Sequence, residues 1–175
     1  MAAIALMERH SSLSMATSSW GETALQAASH LGHRKLLARL VECGVRPDVF
    51  AATAMGDVAA ATAMMAAGPK SLCGVHDLPL LHFAVMSREI ETVEALIAVG
   101  APLCPSAASL SPLHSAAGIG SKPMVRALVS AGADLSRTDA FGQTALDWAY
   151  DLRATDPELL ELLGAPNVRV ARRSA

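Results

Sequence analysis

SPLHSAAGIGSKPMVRALVSAGADLSRTDAFGQT, residues Ser111 to Thr144, is the stretch whose reading decides the fold. A short apolar run, SPLHSAA, suits one helix; the chain turns at Gly118–Gly120 and resumes as MVRALVSAG, which suits a second. It then extends through ADLSRTDAFGQ, and TALDWA restarts the pattern. From Ser111 to Thr144 the step is 144 − 111 = 33 residues. A fixed step of this size marks stacked helix–turn–helix units, each unable to bury its own apolar face.

Related units lie on both sides. Upstream, PLLHFAVMSREIETVEALIAVGAP carries His82 where this stretch has His114, a step of 114 − 82 = 32. Before it, DVFAATAMGDVAAATAMMAAGP has no comparable opening, yet its Gly56-Asp57 matches Gly32-His33 of an earlier unit at a step of 56 − 32 = 24. The shortfall falls at VRPD, so the connector between the first two units is missing or tight. The first unit opens at Trp20-Gly21-Glu22-Thr23. Ala24, Leu25 and Ala28 form one buried face; Leu36, Leu37, Leu40 and Val41 form another, and Gly44 caps its helix. Downstream, TALDWAYDLRATDPELLELLGA forms a fifth unit with about two extra residues before its second helix, where Thr155 or Asp156 caps and Pro157 fits the first turn. Pro123 suits the same place in the fourth unit. In the KSLCGVHDL connector Asp77 replaces the glycine that Gly142 supplies later, which predicts a less regular turn.

Composition agrees. Hydrophobic residues make up 52% and aromatics only 3%, material for close helix stacking and not for a β-sandwich. A net charge of −2 and a pI near 6.3 give no general attraction to nucleic acid or anionic membrane. No apolar run approaches the roughly 18 residues of a membrane span. Three widely spaced cysteines, Cys43, Cys73 and Cys104, form no disulfide framework and suit a reduced, cytoplasmic setting. Residues 1–19 read as a leader, either disordered or a short capping helix, without the basic region of a signal peptide. Residues 20–165 read as the repeat domain and 166–175 as a flexible basic tail, with Arg169, Arg172 and Arg173 solvated.

The pieces TALQAASHLGH, PLLHFAVMSRE, SPLHSAAGIGS, TALDWAYD and GADLSRTDAFGQT resemble the ankyrin-repeat family over about Trp20 to Ala165. The resemblance implies an all-α solenoid of about five helix-turn-helix units joined by short β-hairpin fingers. It also implies that His82 and His114 tie the turn before each first helix through hydrogen bonds. Gln26 and Asp147 hold the same position in other units, and this variety suits a turn anchor better than a proton shuttle.

Catalytic patterns are weak. Cys73-x-x-His76 with His82 and Cys104 raises zinc, but the two cysteines fall in successive connectors, too far apart for one structural site. Gly118-Ile119-Gly120-Ser121-Lys122 lacks the first glycine of a phosphate loop, and the turn between two helices already explains it. No metal or cofactor is expected. What remains is surface. Trp20 and Phe141 occupy equivalent places, each before a glycine, and suit aromatic anchors for a partner. Leu31, Met55, Met86 and Ile119 precede the inter-helix turns and form an apolar row, open to a binding or a packing role. The expectation is a monomeric, non-catalytic module that binds a partner protein. The alternatives are an enzyme or small-molecule sensor using Cys73, His76 and Asp77, and a self-associating assembly element.

Overall fold

The computed structural model describes residues 17, 21–68, 73–103, 110–151 and 156–165. Ten α-helices run through these residues: α1 (Ala24–His30), α2 (Arg34–Glu42), α3 (Val49–Met55), α4 (Val58–Ala66), α5 (Leu80–Ser87), α6 (Ile90–Ala98), α7 (Pro112–Gly118), α8 (Lys122–Ser130), α9 (Ala145–Asp151) and α10 (Pro157–Leu162). They form five consecutive pairs in two rows. The first helices α1, α3, α5, α7 and α9 pack in sequence, and so do the second helices α4, α6, α8 and α10.

Local chemistry sets the helix starts. Thr23 and Gln26 exchange hydrogen bonds as a capping box on α1. Asp48 caps α3, Asp57 caps α4 and Ser111 caps α7. Pro123 and Pro157 lie in first turns, where a missing N–H costs nothing. Each of the first four pairs turns through a left-handed residue: Gly32, Gly56, Arg88 and Gly120. Between these residues the steps are 24, 32 and 32, so the deficit lies where the sequence places it. Only the six residues 43–48 join α2 to α3.

That short join has a consequence beyond itself. Unit one touches unit three as well as unit two. A Cβ added at Gly32 meets the Met86 carbonyl oxygen at 2.3 Å, so the two backbones are in contact there and only glycine fits. Arg34 pairs with Glu89 beside Gly56, the turn of the intervening unit. The second helix α2 packs on α3, the first helix of unit two. The buried side chains accordingly form two clusters. Leu25, Ala28, Leu37, Leu40, Ala51, Ala54, Leu78 and Phe83 join the first three units, and a longer cluster runs from Val49 to Ala165. Phe50 packs against both.

The hairpin fingers are reduced. Among the described residues no β-strand forms; isolated antiparallel bridges pair Thr17 with Thr23, Cys73 with Pro79 and Thr138 with Thr144. Bridges 73–79 and 138–144 each close a seven-residue turn directly ahead of a first helix, and the Thr17–Thr23 bridge lies directly ahead of α1. One residue pair per turn is too short to register as a strand.

Candidate functional site

The turn 138–144 is held by one side chain. The Asp139 carboxylate accepts from the backbone N–H groups of Phe141 and Gln143, each at 2.9 Å, and from Trp148 Nε1 at 2.9 Å. Desolvation works against the charge, but the bonds from Gln143, Trp148 and Phe141 hold this carboxyl below the usual carboxylate range. Gly142, at φ 78°, supplies the left-handed step. The locked turn presents Phe141 to water, 88% exposed.

The apolar row of the sequence reading is mixed. Leu31 is 50% exposed; Met55, Met86 and Ile119 are half-buried, with Met55 and Ile119 packed against the two clusters. The Gly32–Met86 contact brings the residue after Leu31 against Met86. Trp20 and Cys104 lie outside the described residues, as do residues 1–16 and 166–175.

The histidines act across units. His114 Nε2 lies 3.0 Å from the Gln143 carbonyl, in the turn of the following unit. His82 Nδ1 lies 2.7 Å from Ser115 Oγ of the following unit, and its Nε2 lies 3.4 Å from the His30 carbonyl of unit one. Burial pushes His82 down to about 4, partly offset by the His30 carbonyl, so it is neutral near pH 7. At the equivalent position Gln26 and Asp147 behave differently, bonding back to Thr23 and Thr144 at their own helix starts. One position thus serves as a local cap in units one and five and as a bond between units in units three and four.

Turn 73–79 differs from its counterpart. His76 and Asp77 are both left-handed, at φ 55° and 56°, which costs about 1–2 kcal/mol per residue without glycine's freedom. His76 Nε2 lies 3.0 Å from Glu22 Oε1, and His30 Nδ1 lies 3.1 Å from that same oxygen. These three side chains converge; the earlier grouping of Cys73, His76 and Asp77 does not. Cys73 instead lines a cavity of about 280 Å³ with Gln26, Ser29, Asp48, Phe50, Gly74 and Phe83, a lining that includes neither His76 nor Asp77. Glu22 and His30 were missed from sequence. The signal was there, since Glu22, Gln26 and His30 recur at four-residue spacing, but His76 joins them only through the fold. A larger groove of about 770 Å³ runs over second helices between Glu94, Lys122, Arg126 and Glu158.

Consecutive helix pairs, stacked in two rows and capped by tight turns, define a helical-repeat protein. A family model of ankyrin repeats, in three copies, matches residues 81–172, and the chain belongs to the ankyrin-repeat family. Among known proteins it is similar to the transient receptor potential cation channel subfamily A member 1 homolog of Caenorhabditis elegans, 37% identical over 71 residues. That match covers 41% of this chain and 6% of the relative. Ankyrin repeats are in general protein–protein interaction modules. No helix among the described residues is long and apolar enough to cross a membrane.

Proposed function

We propose that this chain is a non-catalytic, monomeric interaction module of the cytoplasm, its domain spanning residues 20–165, which binds a partner protein on the face made by the turns and first helices. Phe141 is the observation that carries the reading. A large aromatic standing 88% exposed costs solubility, yet its turn is fixed by Asp139 and Gly142. With the backbone of its turn already held in one geometry, the anchor loses less backbone entropy when it docks. Leu31 extends the apolar surface at the far end, and Met55, Met86 and Ile119 supply adaptable contact between them. Trp20 holds the place in the first turn that Phe141 holds in the last. The partner's contact is an apolar pocket or groove matched to one aromatic side chain.

The test is quantitative affinity capture from native lysate with the wild-type chain beside Phe141→Ala. The exposed side chain touches little of its own fold, so the variant melts like the wild type. A hot-spot aromatic contributes about 2 kcal/mol or more, so captured partners fall roughly 30-fold. Identical capture by the two proteins at equal stability removes Phe141, and the face it anchors, from the proposal.

A further inference from the structure

The geometry points to a divalent transition-metal site made by Glu22, His30 and His76, with zinc as the ion that suits it first. Two imidazole nitrogens and one carboxylate oxygen lie within 4.8 Å of one another. Glu22 Oε1 is 3.1 Å from His30 Nδ1 and 3.0 Å from His76 Nε2. A tetrahedral zinc with bonds of about 2.1 Å separates its ligand atoms by roughly 3.4 Å, so the two Glu22 separations each need to open by only a few tenths of an ångström. The donor set is the nitrogen-and-oxygen type favoured by zinc and its first-row neighbours, not by calcium or magnesium.

Two further observations distinguish this from a simple ion pair. His30 Nδ1 is buried and makes no aligned hydrogen bond among the described residues, although Glu22 Oε1 is within reach. A buried ring nitrogen within reach of a carboxylate but not hydrogen-bonded to it suits a shared ion. The turn that delivers His76 also takes two consecutive left-handed residues without glycine, and the His30 and His76 rings meet edge to face at 5.3 Å. Glu22 and His30 have only 12% and 17% of their side chains exposed, whereas His76 has 54%. The site therefore has a closed floor and an open side. Three protein ligands leave the fourth position to water or to a donor from a bound molecule.

Bound metal joins the first unit to the turn ahead of the third, on the same seam as the Gly32–Met86 contact. Binding and folding are then linked, and the ion raises the melting temperature. The experiment is calorimetric titration of the full chain, reduced, with zinc chloride in a non-coordinating buffer, followed by the cobalt absorption spectrum. Expected are one zinc per chain, at least a tenfold affinity loss in both His76→Ala and Glu22→Gln, and unchanged affinity in Cys73→Ser. Cobalt then shows d–d bands without a thiolate charge-transfer band. Circular dichroism verifies that the variants fold; His76 is exposed enough for its removal to be tolerated. No saturable zinc binding up to millimolar ion overturns the assignment. So does equal affinity in His76→Ala, a thiolate band, or loss of binding in Cys73→Ser.

Discussion

Turns 73–79 and 138–144 have the same length, the same closing bridge and the same place ahead of a first helix, yet they are built on opposite principles. Asp139 in the later turn corresponds to Gly74 in the earlier one, and Trp148 to Phe83. The Asp139–Trp148 hydrogen bond is thus replaced by packing: a Cβ at Gly74 meets Phe83 Cζ at 2.7 Å. The backbone bond across the turn survives in both, from Asp139 N to the Gln143 carbonyl and from Gly74 N to the Leu78 carbonyl. With a polar brace the tip residue, Phe141, stands in water. With an apolar brace and a left-handed pair, the tip residue, His76, folds back to Glu22. One backbone frame therefore holds an aromatic out in water at one end and turns an imidazole toward a neighbouring carboxylate at the other.

Acid separates the two ends most strongly. His82 and Asp147 each sit three residues past the turn. The folded pKa of His82, about 4, lies below the ordinary histidine value of about 6.5. The native state then binds fewer protons than the unfolded chain between those values. Stability is complete above pH 6.5 and falls as pH drops, by about 3 kcal/mol near pH 4. Asp147 is held below the usual carboxylate range by its bonds to Thr144, so its contribution is complete above that range and is lost only as the pH falls through it toward the depressed value. Urea titrations across pH 4 to 8 measure this, and His82→Gln flattens the upper part of the curve. An unchanged slope in that variant breaks the contrast.

Next in size is an exchange of braces. Gly74→Asp drives a side chain into Phe83 and Phe50 and costs about 1–3 kcal/mol in a denaturation series. Asp139→Gly, the reverse exchange, releases bonds at the surface and costs less. If the two losses are equal, packing and hydrogen bonding are not the alternatives described here. Gly142→Ala has open space around its Cβ, so it carries only the left-handed penalty of about 1 kcal/mol. Smallest is Asp77→Gly, which relieves the same conformation and raises stability by at most about 1 kcal/mol. A loss in Asp77→Gly shows that the aspartate side chain holds the turn.

Local features were legible from the residues alone. The 33-residue step, the shortened VRPD join and the start of α10 at Asp156-Pro157 all rest on side chains within a few positions of one another. The irregular turn at Asp77 is of the same kind, because a glycine's absence is visible without coordinates. What escaped depends on which units touch. The 24-residue step shows that a connector is short; it does not show that Gly32 then meets Met86. Glu22, just ahead of the Thr23 cap, and His30, at the end of α1, lie close along the chain, but nothing along the chain brings His76 to them. The histidines at 82 and 114 read as anchors of their own turns, and they anchor neighbours instead. Phe141 is legible because it holds the same place as Trp20, each just before a glycine, a pattern that survives without knowledge of packing.

Arrays of this kind are shed from their tips, one unit leaving while the next stays folded. Among the described residues the fifth pair packs on the fourth, α9 on α7 and α10 on α8, and is free to open in that manner. The first pair is not, because detaching it opens the third as well as the second. Helices α1 to α6 should accordingly exchange their amide hydrogens as one foldon, giving the molecule a front that lets go all at once and a rear that unravels by degrees.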